Sequence, residues 1–84
     1  MTELTLHSVA QEAHALITGD HAREIHEDYL HDARNGLVTI DRYTGFLQGL
    51  AAAGALDVVE YYELRDVLSA LASQAERGLA HPPS

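Results

Sequence analysis

The sequence has no cysteine and no lysine, and its five basic residues are all arginine. The first absence excludes disulfides and thiolate metal ligands, so nothing of that kind reinforces the core of an 84-residue chain. A domain this small needs well-packed helices or a partner subunit instead. The second absence excludes a Schiff-base lysine and any flexible basic patch. Thirteen acids against five bases give a formal charge of −8. That balance disfavours direct contact with nucleic-acid phosphates and steers encounter towards basic partners. Long apolar runs are missing as well. The least polar stretch, GFLQGLAAAGAL at 45–56, is too short to span a bilayer. The opening MTELTLHSVAQE lacks the basic segment and apolar run of a secretory signal. A cytoplasmic protein with no membrane partner is expected.

Motifs for catalysis are also lacking. There is no G-x-S-x-G, no glycine-rich phosphate loop and no cysteine nucleophile. The expectation is that the chain is not an enzyme and takes no cofactor.

What is present is helical periodicity. Leu6, Val9, Ala10, Ala13, Leu16 and Ile17 recur at helical spacing. Thr5 or Ser8 would cap that first helix, and Gly19 would end it. A second helix is predicted over about 21–34, with Asp20 as N-cap and Asn35-Gly36 as its stop. A third follows Thr39 to about Ala53, before Gly54. The fourth follows Asp57, with Glu60 completing a capping box, and runs to about Arg77 before Gly78. The segments 36–50 and 54–68 echo each other, each a glycine, two apolar residues, a cap and then a tyrosine. The echo marks two similarly built helix entries. Connections of roughly three residues favour antiparallel or steeply angled neighbours. The fold class is therefore all-α, a single domain over 1–84 built as a bundle of four short helices with no sheet and a frayed tail at 79–84.

The segment HAREIHEDYLHDAR, residues 21–34, concentrates three histidines and four carboxylates. On a helical wheel Ala22, Ile25, Tyr29 and Ala33 form its apolar arc, with Leu30 widening one flank and His26 at the edge. The histidines recur at five-residue steps, about 140° apart, and cannot converge on one ion. Glu27 with His31, Glu24 with Asp28, and Asp28 with Asp32 have chelating spacing, but two mixed ligands make a poor metal site without a second helix. His7 and His14 lie two turns apart, too far to share an ion. No metal ligand is assigned. His26 reads as a core-edge histidine with a hydrogen-bond partner, while His21 and His31 join the carboxylate face and make its charge pH-dependent.

Two other surfaces stand out. The third helix carries Ile40, Tyr43, Leu47, Leu50 and Ala51 towards the core, flanked by Phe46. Gly45, Gly49 and Ala52 form a ridge of small residues on its other side. Glycines inside a helix cost about 1 kcal/mol each against alanine, which points to a close backbone neighbour: a helix of the same chain in the favoured reading, a second subunit in the other. The fourth helix buries Tyr61, Leu64, Leu68, Leu71, Ala72 and Ala75 and leaves Val59, Tyr62 and Asp66 on an outward line with Glu63 nearby. Tyr62 reads equally as an interface anchor and as a single solvated tyrosine. The second and fourth helices each carry five acids and two arginines. Side by side, they would form one continuous negative surface.

In its small size, strong acidity, lack of cysteine and of catalytic motifs, and its carboxylate-rich REIHEDYLHD segment, the chain resembles anti-CRISPR proteins, the inhibitors that phages and mobile elements direct against CRISPR-Cas complexes. That resemblance implies a stoichiometric inhibitor in the host cytoplasm. It would bind a Cas subunit and block DNA or guide RNA, as a DNA mimic or a steric plug. The partner-binding candidates from the residues themselves are Glu24, Glu27, Asp28, His31, Asp32, Tyr62, Glu63 and Asp66. The alternatives are a helical adaptor or dimerisation module, working as monomer or homodimer, and a metal-binding bundle built from histidines and carboxylates.

Overall fold

Four helices, α1 (Leu6–His14), α2 (Asp20–Arg34), α3 (Ile40–Ala52) and α4 (Val58–Ala80), make up a computed structural model of the chain. It describes the backbone over residues 4–80 and side chains over 4–74. There is no strand among the described residues. The expected all-α bundle is what the chain forms. α1 packs on α2 and on α4, and α3 packs on α4. The two acidic helices both pack on α1, and they are not closely packed on each other among the described residues.

Local chemistry fixes each helix end. Thr5 and Ser8 cap α1 reciprocally: Ser8 N–H donates to Thr5 Oγ1 at 3.1 Å and Thr5 N–H donates to Ser8 Oγ at 2.9 Å. α1 stops at His14, so Leu16 and Ile17 lie in the connection, where Ile17 is nevertheless buried. Asp20 is the first residue of α2, and Gly19, with φ +94°, takes the N-cap position assigned to Asp20. A carboxylate there still favours the positive end of the helix dipole. Gly36 and Gly54 take positive φ, and the 6→1 bonds Leu37 N–H to Asp32 O (2.8 Å) and Ala55 N–H to Leu50 O (2.9 Å) close α2 and α3. These are Schellman ends, the left-handed position being one that glycine fills without strain. Thr39 Oγ1 accepts from Arg42 N–H, and Asp57 Oδ1 accepts from Val59 and Glu60 N–H, starting α3 and α4. Gly78 does not stop α4, which continues to Ala80. Of the tail expected to fray, residues 81–84 lie outside the described residues, as does the side chain of Ala75.

The connections are residues 15–19, 35–39 and 53–57, longer than the roughly three residues expected. The first and last touch. Thr18 N–H and Thr18 Oγ1 both donate to Ala55 O, at 2.8 and 3.1 Å.

The core is Val9, Ala10, Ala13 and Ile17 against Tyr43, Leu47, Leu50, Leu56, Tyr61, Leu64 and Leu68. Leu71 and Ala72 are only half-buried. α2 contributes differently from its wheel. Ile25 is 51% exposed while His26 is 0% exposed. The buried arc is centred on His26, with Ala22, Tyr29, Leu30 and Ala33 around it. The rotation has a physical cause: His26 finds two polar partners inside, and Tyr29 stacks on Phe46 of α3 at 4.2 Å between ring centres.

Among the described residues, the glycine ridge faces nothing. A Cβ added at Gly45 or Gly49 would meet no atom within 4 Å, and both residues are exposed. The favoured expectation of packing against a helix of the same chain is thereby overturned. Gly45→Ala and Gly49→Ala should each stabilise the monomer by roughly 0.5–1 kcal/mol. In a thermal melt that is a rise in midpoint of several degrees per substitution, about 4–8 °C for each kcal/mol in a domain of this size. A fall would mean that another molecule's backbone lies on this ridge.

Candidate functional site

The most elaborate polar arrangement in the molecule runs from an open cleft into the core. His14, the last residue of α1, faces His26 of α2, with the two Nδ1 atoms 3.0 Å apart. The rings are within 19° of parallel and their centres are 5.2 Å apart. That separation is close to the nitrogen–nitrogen distance plus two ring radii, so the imidazoles meet edge to edge. His26 Nε2 lies 2.7 Å from the Tyr43 hydroxyl of α3. Phe46 and Tyr29 enclose the pair from the side, Phe46 lying 6.1 Å from His26 and Tyr29 5.9 Å from Tyr43 between ring centres.

Counting protons fixes the direction of the chain. The Tyr43 hydroxyl is buried and its one partner among the described residues is His26. Its proton has to go there, because an orphaned buried donor is costly. Tyr43 O–H therefore donates to His26 Nε2. A neutral His26 then carries its proton on Nδ1 and donates it to His14 Nδ1, leaving His14 Nε2–H directed away from the pair. Burial, and secondarily the nearby charge that His14 would bring, lowers the His26 pKa from 6.5 to about 4. Burial also pushes the Tyr43 hydroxyl up. Both groups are held neutral. The inner end is a tyrosine hydroxyl sealed in the core, so the chain ties α1, α2 and α3 together.

At its outer end lies an open cleft of about 450 Å³, lined by His14, Asp20, Arg23, Glu24 and Glu27. Two of the partner-binding candidates, Glu24 and Glu27, thus stand at the cleft. Asp28 and His31 are exposed further round the same helix, where Asn35 Nδ2 donates to His31 O at 2.9 Å and lies 3.3 Å from its Nε2. Helical geometry puts these four on one face. Asp32 follows Asp28 by one turn at the edge of this face and is half-buried. On α4, Val59, Tyr62, Glu63 and Asp66 are all exposed. The Arg65 guanidinium lies 4.7 Å from the Tyr62 ring centre, partly covering it. Among the described residues none of these carboxylates is held in an ion pair.

No three histidine, aspartate or glutamate side chains among the described residues come together in a way that could hold a metal ion. No helix among them is long and apolar enough to cross a membrane.

The His14–His26 pairing is absent from the reading of either helix alone. Its signal lies in the combination: His14 at the end of one helix, His26 on the inner arc of the next, and a turn folding one back on the other.

No protein-family model matches this chain, and no curated protein or solved structure matches it. Its own surface is the ground for a functional reading.

Proposed function

We propose that the protein is a stoichiometric inhibitor that binds a basic, nucleic-acid-handling protein through the acidic face of α2, a CRISPR-Cas complex being the favoured target. The observation that carries this reading is the outer side of α2, where Glu24, Glu27, Asp28 and His31 are exposed together. None of the three carboxylates there is engaged with an arginine among the described residues. A rigid 15-residue helix presents them at fixed spacing, which suits a groove whose arginines and lysines normally hold phosphates. The chain's charge of −8 adds long-range attraction, so association is fast and salt-sensitive. The role is binding, without a catalytic step.

Capture from the native host, with the partner identified, tests this. A basic Cas subunit should be recovered, and changing Glu24, Glu27 and Asp28 together to Ala should abolish its capture while leaving the fold intact. These are exposed side chains, whose loss costs little stability. Capture by the triple variant at undiminished yield would eliminate the charge mechanism.

A second reading, an adaptor or dimerisation module, has its own observation. The ridge of Gly45 and Gly49 is open to an approaching backbone, and Val59 and Tyr62 form an exposed line on α4. Sedimentation separates the two readings, since a homodimer held by the ridge would have twice the monomer mass.

A further inference from the structure

We infer that His14 is a proton-operated latch: neutral, its Nδ1 accepts from His26 and closes the end of α1 onto α2; protonated, it lets go and turns into the cleft between Asp20, Glu24 and Glu27. The inference stands on the direction of the chain derived above and is independent of any partner.

His26 cannot reverse its role cheaply. Tyr43 O–H occupies Nε2 at 2.7 Å, which keeps the His26 proton on Nδ1, pointing at His14. A proton added to His14 Nδ1 would put two N–H groups face to face at 3.0 Å. A shift of the His26 proton to Nε2 would relieve that contact only by stranding the Tyr43 hydroxyl proton among Tyr29 and Phe46. Release of His14 avoids both penalties, because His14 is half-buried at the rim while His26 and Tyr43 are sealed.

The surroundings favour the released imidazolium. Every other described residue lining the cleft comes from α2, and three of the four are carboxylates: Asp20, Glu24 and Glu27, against Arg23. The carbonyl end of α1, where His14 sits, adds partial negative charge. From α3 the groups facing the pair are the Tyr43 hydroxyl and the Phe46 ring, neither charged. α4 packs on α1 but supplies none of the described cleft lining.

Long-range nitrogen–proton NMR spectra of the full chain, titrated from pH 8 to 5, test the latch. At pH 8, His26 should show the Nδ1–H tautomer, with a ring proton protected from exchange with water. As His14 titrates, that proton should be lost to exchange with the same midpoint. His14→Asn places an amide oxygen near the former Nδ1, an acceptor that takes no proton, so the His26 signal should persist to pH 5. Finding His26 as the Nε2–H tautomer at pH 8 overturns the latch. A His26 ring proton that survives His14 titration unchanged does so equally, whether or not the Asn variant folds.

Discussion

Tyr43→Ala should cost the fold about 3–5 kcal/mol, the usual range for emptying a buried aromatic site. In a chain of this length that is a large part of the roughly 4–13 kcal/mol available, so the variant should be largely unfolded at 37 °C. Tyr43 is 0% exposed and among the largest fully buried side chains. It joins the aliphatic core of α1 and α4 to the aromatic contacts between α2 and α3. Tyr43→Phe divides that loss into its parts. The ring stays, but His26 Nε2 is left without a donor in an apolar setting, which should cost about 1–3 kcal/mol. Urea unfolding at pH 7.5 reads both, with the midpoint lowered and the slope unchanged if both states keep their extent. A Phe variant as stable as the parent would mean that the hydroxyl bond contributes nothing, and with it would go the proton direction derived for the chain.

Mild acid should weaken the protein well before its carboxylates are neutralised. His26 is folded away neutral, its pKa lowered from 6.5 to about 4 by burial first and by the proximity of His14 second. The unfolded chain therefore binds a proton at His26 over a range where the folded chain does not. Stability from this group is fully present above pH 6.5 and is lost progressively as pH falls towards 4. The full gap corresponds to roughly 3 kcal/mol. The informative window is pH 6.5 to 5, where relief of the chain's own negative charge acts in the opposite direction. Urea midpoints at pH 7.5, 6, 5 and 4 should decline steadily across it. A pH dependence between pH 7 and 5 that is the same in a His26→Gln variant as in the parent would show that His26 is not held neutral in the folded state.

Most of the helix boundaries can be read along the chain because their causes are local. Thr5, Thr39 and Asp57 act on amides two or three residues ahead, Ser8 on the amide three behind, and Gly36 and Gly54 on the turn just behind them. Gly78 shows the limit of the rule. A glycine ends a helix only where the chain has reason to leave it, and α4 runs on. The face of α2 was less legible for a different reason. A wheel ranks Ile25 above His26 by hydrophobicity, whereas the fold ranks them by partners, and only His26 has two waiting on other helices. The same limit applies to the ridge of Gly45 and Gly49, whose neighbours along the chain cannot reveal that nothing lies opposite. Of the partner-binding candidates, spacing along α2 was enough to group Glu24, Glu27, Asp28 and His31. It could not foresee that Asp32, one turn beyond Asp28, is half-buried, or that both acidic helices pack on α1.

The double bond from Thr18 to Ala55 bears on the order of assembly. α1 with α2, and α3 with α4, are hairpins whose contacts lie close in sequence and close with little loss of chain freedom. Thr18 and Ala55 are 37 positions apart, so their meeting closes a longer loop, at greater entropic cost, than either hairpin does. Local contacts of the first kind favour rapid collapse, and distant ones of the second kind set the pace of the final step. The clip between the first and last connections is thus a late event in folding. A chain arrested before it would hold two formed hairpins whose shared core is still open to water.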